Sequence, residues 1–243
     1  MLEIKNLSKS YNRKPALKDI SMTIENGLYA LLGPNGAGKS TLINIITDNL
    51  NADSGEILYD GTPSKKLGAD FRKLLGFMPQ QQGLYETFTG RRFLGYMAAL
   101  KKIPKKEISA EIERVSSLVN LSDELDKRLG AYSGGMKQRI LIAQAVIGDP
   151  KLLILDEPTA GLDPKERVRM RNLISGLSSG RIVIMATHVV SDIETVADEI
   201  ILLKEGQLVA KASASELIQQ FAPDKGIEDV YMSIFASEEH LVC

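Results

Sequence analysis

Three apolar runs of this chain end at residues that can hold or cleave a phosphate. LYALL (28–32) precedes GPNGAGKS, LLIL (152–155) precedes Asp156-Glu157, and IVIMA (182–186) precedes Thr187-His188. In the first, four residues separate Gly33 from Gly38-Lys39-Ser40, and the apolar helix start Leu42, Ile43, Ile45, Ile46 comes directly behind. Gly36 and Gly38 have no Cβ, so the backbone through Pro34, Asn35, Ala37 and on to Thr41 can curl with its N–H groups aimed inward. The positive end of the following helix completes an anion cradle. Lys39 is then expected to reach the β and γ phosphates of a nucleotide. The Ser40 hydroxyl suits Mg2+, a hard cation that keeps several of its waters.

The second run carries the carboxylates. Four consecutive apolar residues read as a strand buried on both faces. Two adjacent carboxylates at the end of such a strand lose hydration and repel each other, so a bound cation or other compensation is expected. Asp156 is expected to hold Mg2+ through water, and Glu157 to orient and deprotonate an attacking water. A lone histidine near a strand end is more often a satisfied structural residue. At the end of a third apolar run, however, His188 can donate a hydrogen bond to a γ phosphate and sense its presence. His240, in a polar stretch, lacks that context.

These residues can meet only if the three runs lie side by side. In an open parallel sheet the carboxyl ends share one edge, and ligands bind in the crevice outside it. The pattern therefore predicts an α/β fold, a phosphate-loop core with a mainly parallel sheet. The alternation of Leu2 and Ile4, then Ile20, Met22 and Ile24, predicts an N-terminal antiparallel β flap. Asp53-Ser54-Gly55 and Asp60-Gly61 are turn chemistry and bracket a short strand at Ile57–Tyr59, which suggests a second hairpin. From about Thr89 to Ile147 the spacing becomes helical, clearest in Ile108, Ile112, Val115 and Val119. The chain is thus expected to be one domain, its core formed by 1–82 and 148–243, with an inserted helical subdomain at about 83–147. A further short strand after Lys204-Glu205-Gly206-Gln207, a helix near Ser215–Phe221 and a mixed tail complete the expectation.

The gross numbers agree with this class. A chain of 243 residues is ample for a buried core, and 44% hydrophobic with 25% charged residues is ordinary for a globular protein. Thirty basic residues against 31 acidic leave a net charge of −1, so no nucleic-acid partner is expected. No apolar stretch approaches the roughly 18 to 20 residues that cross a bilayer. The single cysteine, Cys243, excludes an internal disulfide framework and a cysteine-rich metal site.

Read together, GPNGAGKST (33–41), MPQ (78–80), YSGGMKQR (132–139), LLILDEP (152–158), AGLD (160–163) and ATH (186–188) resemble, in order, the motif series of the ATP-binding-cassette ATPases. SGGMKQR shortly before LLILDEPTAGLD is the feature that separates this family from other phosphate-loop ATPases. The resemblance implies that Tyr11 stacks on adenine, which suits a flat π face. It implies that Gln80 touches Mg2+ and the attacking water and relays the nucleotide state to a partner; Gln81 and Gln82 blur that register. It further implies that Ser133, Gly134 and Gly135 complete the ATP site of an opposite subunit, and that the loop at Asp163 crosses the interface between them. A hydroxyl and free amides at a helix start are a second anion site, although Ser133 also suits a plain helix cap. A two-fold pair, head to tail around two ATP molecules, would let each signature turn face the other chain's phosphate loop. Tyr132 and Met136 depart from the family's usual Leu and Gln, and YSGGM looks like the variant of export-type cassettes.

The function expected is the separately encoded ATPase subunit of a membrane transporter. It would pair with itself or a related cassette and grip an integral membrane subunit near Gln80 and the helical subdomain, at the cytoplasmic face of the cell membrane. Lys101, Lys102, Lys105 and Lys106 either help dock there or form a solvated helix end. The alternatives are a soluble cassette ATPase acting on a cytosolic assembly or nucleoprotein complex, and a nucleotide-gated switch with negligible turnover.

Overall fold

The computed structural model describes residues 1–80 and 83–235. Gln81, Gln82, His240 and Cys243, named above, lie outside the described residues. Strand β1 (Leu2–Tyr11) turns back at Asn12 and Arg13, both in the left-handed region, into the antiparallel β2 (Lys14–Ile24). The phosphate-loop strand β3 (Gly27–Leu32) leads into helix α1 (Lys39–Ile46). Next come β4 (Ser54–Tyr59), β5 (Thr62–Pro63), the short helices α2 (Ser64–Leu67) and α3 (Ala69–Leu74), and β6 (Leu75–Met78). The helices α4 (Gly90–Leu100), α5 (Ile108–Leu118) and α6 (Gly134–Ala145) follow, with two 3-10 turns and no strand between them. The chain then alternates: β7 (Leu152–Asp156), α7 (Pro164–Leu177), β8 (Ile182–Thr187), β9 (Glu199–Lys204) and β10 (Gln207–Ala212). It closes with α8 (Ala214–Phe221) and α9 (Ile227–Phe235).

The strands form two sheets. The flap has the order β2-β1-β4-β5, and the main sheet has the order β10-β9-β3-β8-β7-β6, parallel except for the β9–β10 edge pair. This places β8 between β3 and β7, so His188 emerges between the phosphate loop and the Asp156-Glu157 pair. The register sets them level, because Leu32 pairs with Thr187 and Asp156 with Ala186.

The main sheet is covered on both faces, which is why its central strands are continuous apolar runs. Leu28, Ala30, Leu32, Leu153 and Leu155 face a core shared with α4 to α9. Tyr29, Leu31, Leu152 and Ile154 face a second core shared with α1 and the flap. Helix boundaries follow capping chemistry: Thr89, Ser133, Asp163 and Ser213 each accept a backbone N–H in the first turn of α4, α6, α7 and α8.

One expectation is corrected. Asp53-Ser54-Gly55, read as a turn before a strand at Ile57–Tyr59, is largely strand, since Ser54 and Gly55 already belong to β4. Gly55 has φ +83, and a Cβ there would lie 2.4 Å from the carbonyl oxygens of Lys5 and Asn6, at the bulge where the β1–β4 register shifts. The mixed tail is in part helical: α9 buries Ile227, Val230 and Phe235.

Candidate active site

The phosphate loop takes its shape from two positive φ angles, +82° at Gly36 and +106° at Gly38. At Gly38 a Cβ would also sit 2.6 Å from the Ala16 carbonyl oxygen, so the loop can pass under the flap only with glycine there. Lys39, the first residue of α1, folds over the loop and donates from Nζ to the carbonyls of Gly33 and Pro34, the latter at 3.0 Å. Burial pulls its ammonium below the usual lysine range, against the opposing pull of Glu157 and Asp156.

Beside this loop opens a cavity of about 250 Å3. Tyr11, Ala16, Pro34, Asn35, Gly36, Gly38, Lys39, Ser40, Thr41, Gln80, Asp156 and Glu157 line it. The structure thus gathers residues from four separate stretches into one chamber. Tyr11 ends β1 in this lining, 46% exposed, with the Lys9 ammonium 5.9 Å from its ring centroid. Ala16, which no motif marked, joins it because β2 passes over the loop.

The carboxylates Asp156 and Glu157 belong to the same lining. Burial first, and then the neighbouring Glu157, pushes Asp156 up to about 6, with Lys39 pulling the other way. Glu157 holds φ +53, an unfavourable backbone for a residue with a side chain and a form of strain common at functional sites. Its amide donates to the Ala186 carbonyl of β8 at 2.9 Å, which extends the ladder by one residue and fixes where its side chain starts. One carboxylate oxygen, Oε1, pairs with His188 Nδ1 at 2.7 Å. The other, Oε2, is buried without a hydrogen-bond partner. A carboxylate oxygen so placed is costly unless a ligand, ion or water completes it.

The donors fit Mg2+: the Asp156 carboxylate, the exposed Ser40 hydroxyl and Gln80 are hard oxygen groups lining the same cavity. Among the described residues no group of three or more His, Cys, Asp or Glu converges, so the protein offers a partial oxygen set. Mg2+ suits this, since it is usually bound by one or two carboxylates together with substrate phosphates and water.

Other residues singled out from the sequence lie elsewhere. Ser133, Gly134 and Gly135 are not part of this chamber's lining; Ser133 and Gly134 are exposed at the start of α6, and the Ser133 hydroxyl accepts from the Met136 amide at 3.2 Å. Asp163 is exposed and caps α7, accepting from the Glu166 amide at 2.9 Å. Tyr132, unusual beside the family motif, is buried and donates its hydroxyl to the Glu124 carbonyl at 2.7 Å. Gln138 of the same motif reaches the loop after Glu157, approaching the Ala160 carbonyl at 3.5 Å. Lys101 is no solvated docking lysine: its ammonium is partly buried against the Leu75 carbonyl, and burial lowers its pKa.

With this geometry in place, comparisons identify the family. The model of the family described as ABC transporter matches residues 17–160. The uncharacterized ABC transporter ATP-binding protein YxlF of Bacillus subtilis is 39% identical over 221 residues, 90% of this chain and 73% of that protein. The linearmycin resistance ATP-binding protein LnrL of Bacillus subtilis is 32% identical over 250 aligned residues, 99% of this chain and 80% of that protein. Among solved structures, an ATP-binding subunit of an ABC transporter superposes with a TM-score of 0.84 at 26% identity, over 96% of this chain and 99% of that one. A dimeric ATP-binding cassette in a post-hydrolysis state, bound to ADP and Pi, superposes with a TM-score of 0.77 at 26% identity, over 88% and 98%. A chamber lined by a phosphate loop and paired carboxylates, with the strand-end His188 outside that lining but bonded to Glu157, in a chain matched along its length by cassette subunits, makes this protein a member of the ABC transporter family, an ATP-binding and ATP-hydrolysing subunit.

Proposed function

We propose that two copies of this chain, or one copy and a related cassette, close head to tail around two ATP molecules and drive a separate transmembrane partner, exporting its solute. The observation that carries this is the division of anion sites. Gly36, Gly38 and Lys39 line the chamber with Asp156 and Glu157, whereas the exposed Ser133-Gly134 turn at the start of α6 faces outside it. A second chain would bring its own turn to the open side of the chamber. The dimeric cassette bound to ADP and Pi supports this reading.

Within each chamber, Tyr11 stacks on adenine, and the loop 33–41 holds the phosphates through its free backbone N–H groups and Lys39. Bound through Ser40, Gln80 and Asp156, Mg2+ would supply positive charge against that developing on the phosphate oxygens. Glu157 orients the attacking water and accepts its proton, and His188 holds Glu157 at Oε1 while facing the γ phosphate. Ser133, Gly134, Gly135 and Asp163 act across the interface. The working unit is a core of 1–82 and 148–243 with a helical subdomain of about 83–147.

Docking to a membrane subunit is supported by a surface on that subdomain. Tyr85 stacks on Phe88 with ring centroids 5.0 Å apart, and Tyr96 meets both edge-on. Tyr85, Tyr96 and Leu100 are 50%, 43% and 59% exposed, a grouped apolar face that suits a partner helix. Among the described residues no helix is long and apolar enough to cross a membrane, so the solute path would belong to that partner. Export is favoured by the YSGGM variant and by the resistance role in the name of the Bacillus relative. The test is purified Glu157→Gln protein with ATP and Mg2+, expected to form a stable dimer by light scattering; a monomer under those conditions refutes the mechanism. Recovery with an integral membrane protein, and not with a soluble complex, is the expected outcome of affinity purification from cells.

A further inference from the structure

His188 has a side chain 57% exposed, so packing around the ring does little to aim it at Glu157. The backbone that follows must do so, and it is pinned. Val189 donates its amide to the Thr187 hydroxyl at 3.0 Å, and Asp192 donates to the Val189 carbonyl at 3.1 Å, closing a 3-10 turn over Val190–Asp192. Asp192 is 1% exposed, and its Oδ2 has no hydrogen-bond partner. From α7, Arg171 sets Nη1 3.9 Å from Asp192 Oδ1 and donates from the same nitrogen to the Ser191 carbonyl. The Arg171 side chain is itself only 19% exposed. On another side α9 packs against the same turn.

A carboxylate buried this fully costs stability unless a cation faces it, and a guanidinium can serve a carboxylate and a carbonyl at once. We infer that Arg171 is a positioning residue for His188. Through Asp192 and the Ser191 carbonyl it fixes the 3-10 turn, and with the turn the imidazole that holds Glu157 Oε1 at 2.7 Å. Arg171 does not line the nucleotide chamber, so it acts on catalysis only through this turn. The inference rests on the role proposed above for His188.

The experiment measures ATP hydrolysis by the full chain with Mg2+, at steady state and in single turnover, for wild type, Arg171→Met, His188→Ala and the double variant. Arg171→Met should slow hydrolysis about tenfold with KM for ATP changed less than about twofold, because orientation is lost and nucleotide contacts are kept. In the His188→Ala background the same change should cost less than about twofold, since residues acting as one unit are not additive. Arg171→Lys, which keeps the charge but loses the planar fork, should recover part of the rate. If Arg171→Met fails to fold, Asp192→Asn carries the same expectation with Arg171 left in place. Full additivity in the double variant, or wild-type turnover by Arg171→Met beside a slow His188→Ala, overturns the inference alone. A His188→Ala protein as fast as wild type brings down the reading of the site together with it.

Discussion

Asp156, the carboxylate proposed to hold Mg2+, has a cost in the ligand-free fold that can be measured. Its carboxyl is pushed from 3.8 up to about 6 by burial and by Glu157. A raised folded-state value means that the folded chain binds the proton more tightly than the unfolded one. The associated stability is therefore full below about pH 4 and is lost as the pH rises through about 6. At pH 8 the ionised group costs at most about 3 kcal/mol, and nearer 1 kcal/mol after solvent screening at this half-buried position. Asp156→Asn should consequently raise the melting temperature of the nucleotide-free protein at pH 8 by a few degrees, with the gain fading by pH 4. The same substitution should abolish Mg2+-dependent ATPase activity. Thermal melts across pH check the first outcome; an equal gain at both ends would mean that the charge is not the cause.

At the scale of elements, one substitution separates the capping role that the start of α6 has from the partner-facing role proposed for it. Ser133 caps the helix through its hydroxyl, and aspartate caps about as well, so Ser133→Asp should leave the melting temperature within about 2 °C of wild type. The added negative charge would face a partner's γ phosphate, and ATP-induced dimerisation of the Glu157→Gln protein should be lost. A dimer that survives would leave this turn as a cap and nothing more. The strands and their terminal residues were legible because β3, β7 and β8 are buried on both faces and so demand unbroken apolar runs. Other features depend on partners remote in the chain. Gly55 carries the composition of a turn, yet its positive φ serves a bulge against β1, some fifty residues earlier. Lys101 belongs to a lysine-rich stretch, and only the neighbouring end of β6 reveals that its ammonium is held by a carbonyl. Asp192 reads as an ordinary polar loop residue until α7 presents Arg171 to it. Helix α9 has apolar residues at helical spacing, Ile227, Val230 and Ile234, but a charged surrounding sequence masked them.

For the whole molecule, the proposed division of the site between chains would make catalysis depend on encounter. Activity per chain should rise with protein concentration and then level off, steepest where monomers dominate. Steady-state rates over a wide dilution series test this; a rate per chain that stays constant from the most dilute sample upward would show a self-sufficient monomer. The same architecture also decides where movement can occur. Glu157 is hydrogen-bonded into the ladder with β8, and His188 follows that strand directly. Sliding β7 against β8 would break parallel pairs from Leu152–Ile182 through Asp156–Ala186. The Glu157–His188 pair is therefore built on a rigid ruler, and in the proposed cycle the opening and closing strokes would fall to whatever approaches that ruler from outside.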